Sequence, residues 1–424
     1  MAELPSAPAF GLQHALLLQG PAGPFMKRFA RELRAHGVAV TKVNFHAGDE
    51  LFFPPWVAGV DVVAYRGDRP EWPGFVRRLI EERAVDGVFV FGDCRPLHRA
   101  AIEEAREAGA RVFVFEQGYL RPDWVTLEPE GVNGLSHLPT EPATYLEADL
   151  PDPPRATPVG SSFGLGAWFY TLDAIAFTLD PGRFPHYEHH RPHNAIAHAA
   201  WWVRGAARKQ WFRVLERGLQ ARFARELSGR YFFVPLQVHC DYQLEHSPYG
   251  DVIEFIEEVV ATFAREGDPD EHLVFKHHPM DRPFREYGAL FRALRERHDL
   301  GERLHYVHDL HLPTLLTHAR GTVTINSTVG LQSMHHETPV HVMGTAIYDM
   351  PGLTSRSPLA EFFREPGSVD MTLYEAFRRW LLHFNQANGN FNKPLESAPT
   401  PTGIHWFRGS PLGARPKERR HEDE

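Results

Sequence analysis

Two short polar segments of the sequence have the composition of a phosphate-binding site. Residues 277–279 read His-His-Pro and follow the apolar run 273–275, and residues 326–328 read Asn-Ser-Thr and follow the run 321–325. Hydroxyl and backbone N–H groups at a helix start bind anions, and an adjacent imidazole can stabilise a departing phosphate. The Ser and Thr could equally be helix caps. We predict that a phosphate group is bound by His278, Pro279, Asn326, Ser327 and Thr328.

Two carboxylates also follow apolar runs directly. Glu116 comes after residues 111–115, and Asp241 comes four positions after Gln237, which follows residues 231–236. Partial burial raises the pKa of such a group towards neutral pH, which suits proton transfer. A capping or ion-paired glutamate and a structural turn aspartate are the alternatives. We predict that Glu116 and Asp241 are catalytic.

The segment Gly20-Pro-Ala-Gly23-Pro24 lies between a predicted strand and a predicted helix. Small residues at this point let a ligand or a second domain approach the backbone, so Gly20 and Gly23 are candidate binding residues. A tight turn before a proline-initiated helix is the alternative. The segment matches neither the dinucleotide-binding nor the P-loop glycine pattern.

The chain contains 26 histidines, yet their spacing does not indicate a metal site. The histidines within 305–311 and 335–337 lack an HExxH-type arrangement. The Asp-Pro-Asp triplet at 268–270 precedes a predicted strand, whereas ligands bind beyond the carboxyl ends of strands. We expect no metal and no other cofactor.

The candidate residues lie in two regions where predicted strands and helices alternate. In residues 1–150, near-continuous apolar strands surround a helix in which Phe25, Phe29 and Leu33 recur every four positions, closed by Gly37. This pattern predicts a Rossmann-like domain with a parallel sheet.

A second strand–helix alternation occupies residues 229–394 and predicts another Rossmann-like domain. One of its helices opens with Asp251 and Glu254, spaced as in a capping box. Residues 151–228 are read as a helical, basic and aromatic connection, and residues 395–424 as a loosely ordered tail. The fold class is therefore α/β with two Rossmann-like domains.

Composition limits the possible functions. The 424 residues suffice for two domains, and the formal charge of -9 disfavours nucleic-acid binding. Cys94 and Cys240 are the two cysteines, which favours a reducing compartment. No basic start followed by an apolar run and no long apolar stretch is seen, so we expect a cytoplasmic protein without a signal peptide or membrane span.

One segment, residues 182–213, has a charge opposite to that of the chain. It carries five histidines, four large aromatic residues at 201, 202, 211 and 212, and one acid, Glu188. Its other basic residues are Arg183, Arg191, Arg204, Arg208, Lys209 and Arg213. Such a segment can hold a protein on an anionic membrane surface. The alternative is an interdomain helix whose arginines pair with the acidic stretch 141–152.

Several segments together resemble the bacterial capsule polysaccharide biosynthesis family. They are LLLQGPAGPFMKRFARELRAHGVAVTKVNFHAGDELFF, FEQGYLRPDWVTLE, PLQVHCD, FKHHP and INSTVGLQSM, in this order over roughly residues 14–355. The resemblance implies a GT-B-like arrangement, in which two Rossmann-like domains face a cleft.

The resemblance also implies a function. It indicates a β-Kdo transferase that uses CMP-Kdo and acts on a phosphatidylglycerol-type lipid, at the inner face of the inner membrane and beside other capsule synthesis and export proteins. By this resemblance His278, Pro279, Ser327 and Thr328 hold the CMP phosphate, and Gln237 and Asp241 form a Gln-x-x-x-Asp element. Retention of the β configuration implies a double displacement, with Asp241 as the candidate nucleophile and Glu116 as the acid/base.

Two other functions remain open from the sequence. A CDP-glycerol-type phosphotransferase would share the two-domain plan, the His-Pro element and the Ser-containing helix start. A non-catalytic capsule export adaptor would use the same fold to recruit partners. The adaptor would not need His, Ser and two carboxylates at strand ends.

Overall fold

The computed structural model describes residues 11–153, 155–189 and 195–406, which form two compact units. The first unit comprises the described residues of 11–137, 150–198 and 379–406. The second comprises Leu138–Asp149 and Ala199–Arg378. Both units combine a mainly or wholly parallel sheet with helices, which confirms the predicted α/β class with two Rossmann-like units.

The strands in the described residues are short and rich in β-branched and aromatic side chains, as expected for buried strands. They are β1 His14–Leu17, β2 Ala39–Asn44, β3 Asp61–Ala64, β4 Gly87–Phe91, β5 Arg111–Gln117, β6 Trp124–Pro129, β7 Tyr231–Pro235, β8 His272–Lys276, β9 Leu304–Val307, β10 Gly321–Thr324, β11 Val340–Val342 and β12 Gln386–Asn388.

The helices of the same residues connect or flank these strands. They are α1 Phe25–Ala35, α2 Ala47–Phe52, α3 Trp72–Glu82, α4 Pro96–Glu107, α5 Pro142–Leu146, α6 Phe163–Leu179, α7 Ala195–Leu215, α8 Leu219–Arg225, α9 Val252–Glu266, α10 Gly288–Arg297, α11 Leu312–His318, α12 Val329–His335, α13 Leu359–Arg364 and α14 Met371–Phe384.

Each sheet has a point at which the strand order reverses. In the first unit the order is β3-β2-β1-β4-β5, all parallel, followed by β6 and β12 in antiparallel pairing. In the second unit the order is β9-β8-β7-β10-β11, all parallel. The order in which successive strands are added to the sheet therefore reverses between β1 and β4 and between β7 and β10. Ligands of such sheets bind beyond the carboxyl ends of the strands at this reversal, called the switch point.

Helix α1 shows how the local sequence builds the first unit. Its residues Phe25, Phe29 and Leu33 are fully buried against the sheet, as their spacing predicts. Gly37, just beyond its end, adopts φ +80°, a conformation that favours glycine. Truncating Phe29 to Ala would cost about 3–5 kcal/mol, because the site is closely packed by aromatic rings.

Helix α9 does the same for the second unit. The Asp251 carboxylate accepts a hydrogen bond of 3.1 Å from Ile253 N, and Glu254 accepts one of 2.8 Å from Gly250 N. The predicted capping residues therefore both act at the helix start, with Glu254 reaching one residue further back than in a standard capping box. The apolar face of α9 is buried beneath β7 and β8.

The C-terminal part of the described chain differs from the predicted boundaries. We expected residues 229–394 to form one domain and residues 395–424 a loose tail. Instead the chain returns to the first unit at Arg379, and β12 pairs with β6. The cause is a buried carboxylate: Glu32 on α1 accepts hydrogen bonds from Thr402 N at 3.0 Å and from the Trp406 indole at 2.5 Å. Residues 407–424 lie outside the described part.

The predicted connection, residues 151–228, is helical, as α6, α7 and α8 show. It is divided between the two units at His198 rather than forming a separate body. None of the helices in the described ranges is both long and apolar enough to span a membrane.

Candidate functional site

The switch point of the second unit is bridged by two side chains from the predicted site. Gln237 lies two residues beyond β7, and its amide nitrogen donates a hydrogen bond of 2.9 Å to the Asn326 side-chain oxygen beyond β10. Asn326 in turn donates to the Gln243 carbonyl at 2.8 Å. Gln237 is 7 % exposed, and its side-chain oxygen has no hydrogen-bond partner among the described residues. Beyond the end of β7 the Gln237 side chain therefore has a buried hydrogen-bond acceptor that is not paired within the described residues.

Ser327 and Thr328 follow Asn326 at the start of α12. The Ser327 hydroxyl oxygen accepts a hydrogen bond of 3.2 Å from Val329 N, so Ser327 caps the first N–H of the helix, as the structural alternative expected, whereas Thr328 at the cap position makes no side-chain cap bond. Capping uses the oxygen as an acceptor and leaves the hydroxyl hydrogen to act as a donor. Tyr348, which is buried, donates to the Ser327 carbonyl at 2.5 Å and fixes this turn. Ser327 can therefore cap the helix and donate to a ligand at once.

His278 and Pro279 lie beyond β8, the other neighbour of β7. Nδ1 of His278 accepts a hydrogen bond of 3.2 Å from Met280 N and starts a 3-10 turn at Pro279–Asp281. With Nδ1 as the acceptor, the neutral ring carries its hydrogen on Nε2, the tautomer assigned from this contact. His278 is thus arranged as a hydrogen-bond donor through Nε2.

His277 precedes this pair and is fully buried. Its Nδ1 is 2.7 Å from the Tyr306 hydroxyl, and its Nε2 has no partner among the described residues. Burial, together with the nearby His308, lowers the pKa of His277 to about 3, so this ring is neutral at physiological pH. The two adjacent histidines differ in exposure, because His277 is buried whereas His278 is half-buried.

Asp241 is half-buried in the turn after β7. Its carboxylate accepts a hydrogen bond of 3.0 Å from Gln243 N and caps the short turn Tyr242–His246. The same turn is joined to the loop after β8, because His239 N donates to the buried Asp281 carboxylate at 3.1 Å and the His239 ring contacts that carboxylate too. The structural alternative for Asp241 therefore has a geometric basis, and its catalytic role remains a prediction. The His239–Asp281 link was not predicted, because a His and an Asp 42 residues apart give no local signal.

Glu116 lies near the end of β5 in the first unit and is half-buried. Its carboxylate accepts a hydrogen bond of 2.7 Å from Gln117 N. Partial desolvation lowers the pKa of Arg121, and the charge of Glu116 partly offsets this effect. Glu116 is therefore an acid at a strand end with a cation nearby.

Gly20 and Gly23 have packing reasons of their own. A methyl group added to Gly20 would lie 2.4 Å from Met26 Cγ. Gly23 has φ +122°, and a methyl group there would lie 2.7 Å from the Phe169 ring. The tight turn into α1 accounts for both glycines without a ligand, so their predicted binding role has no additional support.

The switch point of the first unit carries a polar cluster that the sequence analysis missed. Gln19, two residues beyond β1, accepts a hydrogen bond of 3.0 Å from Arg95 beyond β4 and donates to the Tyr187 hydroxyl at 2.9 Å. The His46 ring is 2.7 Å from the same amide nitrogen. One sequence signal could have indicated this cluster, because in both units a glutamine follows the end of the first strand by two residues.

The seven site residues predicted in the second unit follow three adjacent strands, β8, β7 and β10. Gln237 and Asn326 are in direct contact. His278 follows β8 and Ser327 follows β10, and these two strands are separated by two interstrand spacings, roughly 10 Å. Gly20, Gly23 and Glu116 belong to the first unit. Within the described ranges, no three His, Cys, Asp or Glu side chains are grouped so that they could hold a metal ion.

Sequence comparison matches residues 86–392 to the family described as capsule polysaccharide biosynthesis protein. The chain belongs to this family, as the five quoted segments predicted. It is 40% identical over 378 residues to the capsule polysaccharide export protein KpsS of Escherichia coli, covering 88% of this chain and 95% of that protein. It is 37% identical over 403 residues to the capsule polysaccharide modification protein LipB of Neisseria meningitidis serogroup B, covering 92% and 96%.

Among solved structures, the chain is similar to one described as Thermosulfurimonas dismutans KpsC, β-Kdo 2,7 transferase. The TM-score is 0.38 at 15% identity, and the match covers 86% of this chain and 89% of the other. Similarity at this level is too low to carry an argument about activity.

Proposed function

We propose that this protein is a glycosyltransferase of capsule polysaccharide linker synthesis that binds the phosphate of a nucleotide-sugar donor at the switch point of its second unit. The observation that carries the proposal is the Gln237–Asn326 hydrogen bond, flanked by the donors of His278 and Ser327 at the same edge of the sheet. Family membership supplies the biological context.

The proposed donor is CMP-Kdo, as the resemblance of the His-Pro and Ser-Thr motifs implies. Nε2–H of His278 and the Ser327 hydroxyl donate to the phosphate, with Pro279 and Thr328 shaping the two turns. The unpaired Gln237 oxygen accepts from a hydroxyl or amine of the donor, because a buried acceptor without a partner costs about 1–3 kcal/mol. Binding of the donor therefore satisfies groups that the protein alone does not.

The proposed reaction is a double displacement. The Asp241 carboxylate attacks the anomeric carbon, the bond from that carbon to the phosphate oxygen breaks, and the electron pair leaves with CMP. The acceptor hydroxyl then attacks the same carbon, its proton passes to Glu116, and the Asp241 carboxylate is released. His278 and Ser327 act in the first step by stabilising the charge on the departing phosphate.

The proposed acceptor is a phosphatidylglycerol-type lipid, reached by a cytoplasmic enzyme held on the inner face of the inner membrane. Helix α7 supports this location. Ile196, Val203 and Val214 recur on one face of it and are 80%, 71% and 62% exposed. Arg204, Lys209 and Arg213 are also exposed on α7. Exposed apolar residues beside basic ones are typical of helices that lie in a membrane interface.

The structure changes the set of residues proposed to meet the membrane. Arg208 donates hydrogen bonds to backbone carbonyls of the second unit, and Trp201 and Phe212 pack inward. These three are therefore removed from the set. Arg183 pairs with Glu50 rather than with the acidic stretch 141–152, and Arg191 lies outside the described residues.

The proposed activity is tested by incubating the purified protein with CMP-Kdo and vesicles containing phosphatidylglycerol. We expect free CMP and a Kdo-bearing lipid, identified by mass spectrometry. A phosphodiester product formed from CDP-glycerol would instead show a phosphotransferase. Absence of turnover with either donor, from protein that is folded and binds neither nucleotide, would support the export-adaptor function and overturn the proposal.

A further inference from the structure

One face of α7 packs against the loop formed by residues 277–286, here named the donor loop because it contains His278 and Pro279. The contacts recur every three or four positions, the spacing of one helix face. Trp201, Gly205 and Arg208 contact the donor loop itself. Phe212 and, just beyond the helix end, Glu216 lie on the same face and contact His308, which is next to the loop. All these residues and the donor loop belong to the second unit.

The middle of this face approaches the donor loop closely. The Trp201 and Phe284 ring centroids are 4.9 Å apart, and a methyl group added to Gly205 would lie 3.1 Å from Pro283 Cγ. Arg208 lies between these contacts and the helix end. Its Nη1 donates to the Arg282 carbonyl at 2.7 Å and to the Arg285 carbonyl at 3.3 Å. The Arg208 guanidinium therefore fixes the positions of two backbone carbonyls that are three residues apart in the loop.

The end of α7 fixes the far side of the loop through His308. The Phe212 ring stacks on the His308 ring at a centroid distance of 3.4 Å, and Glu216 accepts from His308 N at 2.7 Å. Nε2 of His308 is 3.4 Å from the carboxylate of Glu286, the last residue of the donor loop. The loop is thus held at its middle by Arg208 and at its end through His308.

We infer that Arg208 is a positioning residue for the donor site, because it fixes the donor loop in the conformation that presents His278 and Pro279 to the donor phosphate. The inference rests on the proposed function, in which His278 binds that phosphate. The hydrogen bonds of Arg208 to the loop are made to two backbone carbonyls, and its charge also favours the ionised form of Glu286. Its loss leaves the carbonyls of Arg282 and Arg285 without this donor and frees the segment between them.

The test compares Arg208→Ala, Arg208→Lys and the control Arg225→Ala in the full chain. Arg225 is an exposed arginine on α8 of the same unit. CMP affinity is measured by calorimetry, and hydrogen exchange is followed by mass spectrometry over residues 277–287. We expect Arg208→Ala to weaken CMP binding on the order of tenfold and to speed exchange in the donor loop, since two backbone carbonyls of the loop lose a charged hydrogen-bond donor.

Arg208→Lys retains one charged donor, so we expect an intermediate loss of CMP affinity, and Arg225→Ala should match the wild type. If Arg208→Ala does not fold, the lysine variant carries the test. Wild-type CMP affinity in Arg208→Ala or, failing that, in Arg208→Lys overturns the inference, whether or not loop exchange changes. Failure of the wild-type protein to bind CMP would overturn the proposed donor instead. Faster hydrogen exchange in the donor loop of Arg208→Ala would in that case still support the conclusion that Arg208 fixes this loop.

Discussion

Gln237 and Asn326 are 89 residues apart in sequence and share a hydrogen bond of 2.9 Å that joins the ends of β7 and β10. Gln19 and Arg95 make the corresponding contact, at 3.0 Å, between the ends of β1 and β4. At each switch point, a glutamine two residues beyond the first strand therefore forms a hydrogen bond with a residue beyond the neighbouring strand. In the second unit the glutamine oxygen stays unpaired among the described residues, and it is there that we place the donor.

The phosphate contacts are tested by His278→Ala and Ser327→Ala. Each removes one donor to a charged group, which contributes about 1.5–3 kcal/mol, so CMP affinity should fall roughly 10- to 150-fold. Calorimetry measures the affinity, and His311→Ala, an exposed histidine of the same unit, serves as the control. Unchanged CMP affinity in both variants would place the phosphate elsewhere.

The two carboxylates are tested by Asp241→Asn and Glu116→Gln. Asparagine caps turns as well as aspartate does, so Asp241→Asn should keep the contact with Gln243 N and remain folded. Both variants should bind CMP normally, because the proposed roles are chemical. With the acceptor present, steady-state release of CMP from CMP-Kdo should fall by about 10² to 10⁴ in Glu116→Gln, the range of general acid–base catalysis, and at least as far in Asp241→Asn. Near-normal turnover in both would rule out the proposed mechanism.

The ion pairs of His308 predict how stability depends on pH. Burial alone would lower the pKa of His308, but its hydrogen bonds and charge interactions with Glu216 and Glu286 raise the pKa above 6.5. A raised pKa in the folded state means that the folded protein binds the proton more tightly. The stabilisation is therefore complete below pH 6.5 and is lost as pH rises through the folded pKa.

Thermal unfolding of the wild type and of His308→Gln, followed from pH 6 to pH 9, measures this effect. The difference in Tm should be largest at pH 6 and should shrink as pH rises. A difference that grew with pH, or did not change, would show that His308 is not held as an imidazolium between the two glutamates.

Membrane docking is tested by flotation with vesicles. Replacing Arg204, Lys209 and Arg213 by Glu should abolish binding to phosphatidylglycerol vesicles, because each basic group near an anionic surface contributes on the order of 1 kcal/mol. Wild-type binding should weaken as salt rises and should be weak with neutral phosphatidylcholine vesicles. Binding that ignored both the salt and the substitutions would place the lipid contact on another surface.

Local pattern sufficed to predict much of this protein. The spacing of Phe25, Phe29 and Leu33 determined α1 and its buried face, and Asp251 with Glu254 marked the start of α9. These features depend on neighbours within one or two helical turns, so one stretch of sequence contains all the interacting residues. The family was predicted in the same way, because its motifs are short segments beyond strand ends.

The tertiary structure decided which of those segments meet. Strand order places the residues after β7, β8 and β10 at one edge, and only that order brings Gln237 to Asn326. The tertiary structure also places residues 395–406 over Glu32. A buried carboxylate requires hydrogen-bond donors, and here Thr402 and Trp406 provide them. On α7, sequence alone showed a basic aromatic segment, but packing assigned Arg208 to the donor loop and left Arg204 exposed. Such partners are far apart in sequence, and contacts between distant residues leave no periodic trace in a single chain.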